Sequence, residues 1–179
     1  MNCLMKAIAP VLLAFALAIP SLAQESKTNA APAANKLAPA VVTLPASAGD
    51  VSKPLELKDG AISQPEQTEL TESGKAVYSF TITNAGTFIL RASVNAPDES
   101  SNSFFINIDA QPEDPLTIWD IDVTNGFEDR TVSWRGNGGA DSDEFAPRRF
   151  KLSAGTHKLI IAGREPTQLK SISIHPAAD

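Results

Sequence analysis

Residues Phe150–Glu165 read FKLSAGTHKLIIAGRE, and the reading of this stretch decides the fold. Phe150 and Leu152 point one way along a short extended run. Ser153-Ala154-Gly155 then turns the chain at a glycine able to take φ > 0. Thr156–Ala162 resumes with His157, Leu159 and Ile161 sharing one face, the period of two that marks a half-buried strand. Downstream, Gln168–Ile174 sets Leu169, Ile172 and Ile174 together, and the slip in its alternation predicts a β-bulge.

Upstream the same period recurs. Ala76–Ile82 aligns Tyr78, Phe80 and Ile82, and Asn84-Ala85-Gly86 is a turn into Thr87–Asn95, with Phe88, Leu90, Ala92 and Val94 inward. Ser103–Asp109 groups Phe104, Ile106 and Ile108; Thr117–Val123 groups Trp119, Ile121 and Val123; Thr131–Arg135 carries Val132 and Trp134. Val41–Leu44 and Leu55–Leu57 complete the set. About nine or ten strands, with no helical stretch of useful length, predict an all-β antiparallel β-sandwich.

The chain has 179 residues, 42% hydrophobic and 20% charged, with a formal net charge of −6. That suits one globular domain and excludes a disordered acidic tail or a polytopic membrane protein. A pI near 4.9 argues against nucleic acid as a partner, since phosphates are not neutralised in bulk. Met1–Ala23 reads as a secretory signal peptide: Lys6, an apolar run over Ala7–Ile19, and small residues at Ser21 and Ala23. The run is too short to span a bilayer, so no stable membrane insertion is expected after cleavage, and the localisation predicted is periplasmic or extracellular. Cleavage there leaves residues 24–179 without cysteine, since the single Cys is Cys3. Thiolate metal sites and a cysteine nucleophile are thereby excluded. Residues 24–40, rich in Ala and Pro, read as a linker, 41–175 as the sandwich and 176–179 as a tail.

The segments Arg91–Asp98 (RASVNAPD) and Asn102–Asp109 (NSFFINID), with Phe150–Glu165 and the Leu169 and Ile172 that follow, resemble the galactose-binding-like jelly roll. They are similar to bacterial carbohydrate-binding modules of families six and thirty-five, over about Val41 to His175. The resemblance implies a jelly-roll sandwich with a glycan bound at its loop ends. It also implies a structural calcium held by a first-strand glutamate and a late aspartate. Those positions fall at Ser47 and Lys170 here. Calcium needs several hard, negatively charged oxygen ligands, so the site is expected to be lost and no cofactor is predicted, with the Lys170 ammonium near the vacated position.

Sugars are held in such modules by aromatic faces, with amides, acids or arginine reading hydroxyls. Trp134 leads into Arg135, Gly136, Asn137 and two further glycines, so it can present a ring and polar groups at a rim. Trp134, Arg135, Asn137, Asn102 and Trp119 are the candidate ligand-binding residues. Against this stand the packing of both tryptophans in the core and an Asx-turn role for Asn102. His157 reads as a hydrogen-bonded core histidine, and Arg164 with Glu165 as a structural pair at a turn. Asp141, Asp143 and Glu144 read as a solvated acidic loop rather than a calcium loop, lacking its glycine and terminal glutamate.

No nucleophile elbow, phosphate loop or histidine-rich metal motif is legible, so catalysis is not expected. The sequence thus predicts an exported, non-catalytic glycan-binding module, a neutral glycan being favoured by the negative net charge. The alternative is a structural or protein-interacting sandwich of the cell envelope, with a protein as partner and no sugar bound.

Overall fold

Long strands that alternate strictly pair with one another and leave the short ones to flank them. A computed structural model describes residues 40–133 and 146–178. The chain divides into two units, Met1–Asn35 and Lys36–Asp179, and all the described residues lie in the second. The segment read as a signal peptide, residues 1–23, and all but residue 40 of the segment read as a linker lie outside the described residues. Twelve strands are formed among the described residues: β1 (Val42–Pro45), β2 (Asp50–Val51), β3 (Glu56–Lys58), β4 (Ala61–Ser63), β5 (Lys75–Ile82), β6 (Gly86–Asn95), β7 (Ser103–Ile108), β8 (Ile118–Asp120), β9 (Glu128–Thr131), β10 (Phe150–Leu152), β11 (Gly155–Gly163) and β12 (Gln168–Pro176). A single 3-10 turn, Ala46–Ala48, lies between β1 and β2. Among the described residues no helix is long and apolar enough to cross a membrane.

Two antiparallel sheets result. In the first, β6 pairs with β12 from Asn95 opposite Gln168 to Phe88 opposite Pro176. The other edge of β6 takes β9 and β10, while β12 takes β1 and β4, with β3 beyond β4. The second sheet runs β2-β5-β11-β7-β8. Facing residues Leu90, Ile106, Leu159, Ile161, Leu169, Ile172 and Ile174 are fully or almost fully buried, each worth about 1.5–3 kcal/mol of transfer free energy. A one-residue slip of either long pair would turn its whole apolar set to water. The predicted bulge is present: Leu169 faces Val94 and Ser171 faces Ser93, leaving Lys170 as the extra residue.

One expectation needs correction, and one burial had no signal in the sequence. Val123 does not continue the inward face of Trp119 and Ile121 but is 48% exposed, because β8 ends at Asp120. Conversely Phe105, on the outer face of the second sheet, is buried against Ile118 and Ala162, with Leu70 of the β4–β5 connection packed on them.

His157 sits among acceptors. Its Nδ1 is 2.6 Å from Asp109 Oδ2 and its Nε2 is 2.9 Å from the Ser153 carbonyl. Neither an ionised carboxylate nor a carbonyl donates, so both ring nitrogens must carry protons and the bound form is the imidazolium. Hydrogen bonding to Asp109, then to Ser153, raises the His157 pKa above its usual value, against a smaller opposing effect of burial. For Asp109 burial pushes upward, but the His157 bond and the Lys158 N–H at 2.8 Å together outweigh it and hold the carboxyl low. The pair fastens the β10–β11 turn to the end of β7.

Two predictions follow from these contacts. A Cβ on Gly74 would lie 2.1 Å from the Leu55 nitrogen and 2.3 Å from the Ser52 carbonyl oxygen, both backbone atoms with little room to retreat. Gly74→Ala should cost about 3 kcal/mol in urea unfolding; a variant of unchanged stability would contradict this packing. For His157, a raised folded pKa means its stabilisation is complete below about pH 6.5 and is lost as pH rises through the folded value. The depressed Asp109 contributes above about pH 4 and loses its contribution as pH falls through its own folded value. Melting curves of the protein and of His157→Gln should therefore differ most at mildly acidic to neutral pH and converge on the alkaline side. A gap that does not change with pH would contradict the imidazolium assignment.

Candidate functional site

At one end of the sandwich three connections meet: 96–102 between β6 and β7, 164–167 between β11 and β12, and 121–127 after β8. The first is shaped locally. Asp98 Oδ1 accepts the Ser100 N–H at 2.9 Å and the Ser100 hydroxyl at 2.6 Å, an Asx turn. Those bonds, the side-chain one foremost, hold the Asp98 carboxyl below its usual range. The turn delivers Asn102, half-buried, whose carbonyl accepts the Ile121 N–H at 2.8 Å.

Behind Asn102 lies a buried polar network. The Asn102 N–H donates to Glu165 Oε2 at 3.0 Å. Glu165 is only 5% exposed, and its other oxygen takes Arg164 Nη1, which also donates to Ser103 Oγ at 2.7 Å. Thr167 Oγ1 accepts the Ser103 N–H at 2.9 Å. This is the structural role expected of Arg164 and Glu165, extended to the backbone of Asn102. Removing one member of a buried ion pair leaves the other uncompensated, so Glu165→Ala should cost about 3 kcal/mol or more in urea unfolding. A loss below about 1 kcal/mol, the range of exposed pairs, would show that the network is solvated.

Beside Asn102 the chain opens a notch of about 170 Å³. One wall is the end of β8 and its continuation, Trp119–Asp122; the other is Arg130, Thr131 and Ser133. Asp120, Asp122 and Arg130 put charged groups on its lining, and Thr131 and Ser133 add hydroxyls. Arg130 Nη1 pairs with Glu128 Oε2 at 2.8 Å, while its Nε is buried without a hydrogen-bond partner. The Glu128 carboxyl is held low by the Asn125 N–H first and by Arg130 second. Acids, a guanidinium and hydroxyls converging on a small hollow suit recognition of a polyhydroxylated ligand.

The sequence-predicted residues meet different fates. Asn102 does not line the notch but is tied to a residue that does, its carbonyl accepting the Ile121 N–H. Trp119 does not offer a stacking face: its ring is fully buried and tilted against Phe104 at 6.5 Å. The pairing of Trp119 with Phe104 across β8 and β7 turns the ring into the core. Trp134, Arg135 and Asn137 lie outside the described residues, as do Asp141, Asp143 and Glu144; Ser133, the neighbour of Trp134, is on the notch wall. Arg130, Thr131 and Asp122 were not anticipated. The run Glu128–Thr131 has no apolar alternation to announce a strand, although the acids beside Trp119 were legible.

Ser47 is exposed in the 3-10 turn. Lys170 occupies the bulge with its ammonium 5.6 Å from the centroid of the Phe127 ring, a cation–π contact. Neither position supplies a carboxylate, and among the described residues no three His, Cys, Asp or Glu side chains gather to hold a metal. The pair does not make a calcium ligand set. A larger cavity, about 560 Å³, lies at the other end between the β5–β6 turn, Val41 and Pro176–Ala177. Among the described residues no charged side chain lines it, so the smaller notch is the better-equipped site.

No protein-family model matches the sequence, and no curated protein matches it. Solved structures do resemble it. A family 35 carbohydrate binding module from Clostridium thermocellum superposes with a TM-score of 0.54 at 9% identity, covering 76% of this chain and 98% of that one. The C-terminal family 6 module of LamC, a marine laminarinase of Zobellia galactanivorans, gives 0.50 at 14% identity, covering 75% and 98%. A β-(1,4)-mannanase of Podospora anserina that carries a family 35 module gives 0.55 at 12% identity over 77% of this chain, which spans only 28% of the mannanase chain. At these identities the likeness speaks for architecture alone. The chain has the jelly-roll sandwich fold of carbohydrate-binding modules of families six and thirty-five.

Proposed function

We propose that the protein is an exported, non-catalytic module that binds a glycan at the loop end of the sandwich. The observation that carries this reading is the notch between Trp119–Asp122 and Arg130–Ser133, beside Asn102, on a fold shared with carbohydrate-binding modules. Asp122, Arg130 and Asn102 would read sugar hydroxyls. Trp134, which follows Ser133 in the chain, would supply the stacking face that Trp119 does not, with Arg135 and Asn137 beside it. Two acids on the notch wall and a net charge of −6 favour a neutral sugar over an anionic one at this end. Binding would need no calcium, since Ser47 and Lys170 stand where the ligands would be. The site of action would be the periplasm or the cell exterior, following the reading of Met1–Ala23 as a signal peptide.

Support for a binding rather than a catalytic role comes from the histidines. His157 has both ring nitrogens engaged and lies away from the notch, and His175 sits beside Ser173 on a sheet face. A shallow, wet site gives modest single-site affinity, so useful retention would come from several copies or tethering. The burial of Trp119 favours a second reading, a structural or protein-interacting sandwich, because it removes one of the two candidate platforms.

A glycan array with the purified protein, with and without EDTA, separates the readings. Retention on at least one neutral glycan is expected, unchanged by EDTA. Arg130→Ala and Asp122→Asn should each weaken it by about tenfold, the worth of one charge-assisted hydrogen bond. Failure to retain any glycan would favour the second reading, and loss in EDTA would overturn calcium independence.

A further inference from the structure

The outer face of the first sheet differs in charge from the molecule as a whole. Strand alternation turns Arg91 on β6 and His175 on β12 outward, with Ser173 opposite Arg91 and Ile89 opposite His175. On the other side of β6, Lys151 of β10 stands opposite Thr87. Arg149, just before β10, donates from Nη1 to the Ala178 carbonyl at 3.0 Å. That bond carries its guanidinium across β6 to the end of β12. Lys151 and Arg149 are exposed. Arg91 is half-buried, and its Nε is a buried donor with no hydrogen-bond partner. Among the described strand residues the register places two acids on this face, Asp129 opposite Ser93 and, at the far edge, Glu56 opposite Ser63. A chain with a net charge of −6 has thus gathered cations around β6 and β10 on one sheet face.

Cations grouped on one face call for a negatively charged partner. We propose that this face binds a sulfated polysaccharide, at a site separate from the loop-end notch. It rests on the glycan-binding reading only in taking the ligand to be a sugar polymer, and the two sites share no charged side chain. A sulfate ester stays ionised at every relevant pH and presents three acceptor oxygens. The face answers with the donors of Arg91, Arg149 and Lys151 and the hydroxyls of Ser93 and Ser173. An open sheet face suits an extended polymer with charges spaced along it. Charges elsewhere on the acidic protein that lie more than a Debye length away are largely screened, so the local cations outweigh the net charge at this face. Among the described strand residues that the register turns to this face there is no Phe, Tyr or Trp, which leaves base stacking with little platform.

Dextran sulfate and unsulfated dextran share one backbone and make the test. The protein should bind dextran sulfate at about 0.1 M salt, where screening is moderate, and should lose it progressively as salt rises, while plain dextran does not compete. The exposed pair Arg149→Gln with Lys151→Gln, and separately Arg91→Gln, should each weaken binding by about tenfold, with unchanged melting curves for the exposed pair. Asp122→Asn, in the notch, should leave dextran sulfate binding unchanged. Failure to bind dextran sulfate, indifference to the exposed pair, or equal binding to carboxymethyl dextran or to a single-stranded oligonucleotide would overturn the proposal. The neutral-glycan array and its Arg130→Ala variant report on the loop-end site independently.

Discussion

The fold depends on two long strand pairs, β6 with β12 and β5 with β11, whose register shifts only at the Lys170 bulge of β12. Each residue turned inward by one pair meets a residue turned inward by the other, and burial of these side chains supplies most of the favourable free energy. With Cys3 the single cysteine of the sequence, no disulfide within the chain can substitute for that packing. The outward residues are left to chemistry by the same alternation, so core and surface are two readings of one register.

The loop end inherits its order from this frame. Asn102 is tied to β8 through its carbonyl and to the β11–β12 connection through Glu165. The buried carboxylate is tolerable because Arg164 and a backbone N–H both answer it. Such a network exacts a desolvation cost, and what it provides is a fixed spacing between connections that would otherwise move independently. A recognition site on loops needs that rigidity, because each group ordered before binding is entropy not lost on binding. At the opposite end His157 and Asp109 fasten turn to strand.

Much of the fold was legible because its long strands are amphipathic. The inward sets of Tyr78, Phe80 and Ile82, and of Phe88, Leu90, Ala92 and Val94, are buried as the alternation predicts. Even the bulge at Lys170 was visible as a slip in that alternation. The short strands were not: Asp50–Val51 and Ala61–Ser63 are too brief to show a period, and Glu128–Thr131 is polar on both faces because it sits at an edge. That last omission hid one wall of the notch. Trp119 shows the converse limit. The two acids that follow it, Asp120 and Asp122, do not say which way the ring faces; strand pairing, invisible in one segment alone, decides that. The burial of Phe105 under Leu70 came from a connection whose path no local pattern reveals.

The distribution of charge divides the molecule's surfaces. Acids cluster around the loop-end notch, and cations collect on the outer face of the first sheet, so one acidic chain can present two different electrostatic characters. The central claim remains that the loop end is where a sugar is held. Amide chemical-shift mapping of the isotopically labelled protein, titrated with a neutral oligosaccharide selected on an array, tests it most directly. Shifts should concentrate at Asn102, Asp120–Asp122 and Arg130–Ser133. Shifts confined to the β5–β6 turn and Ala177, or none at the highest attainable sugar concentration, would contradict it.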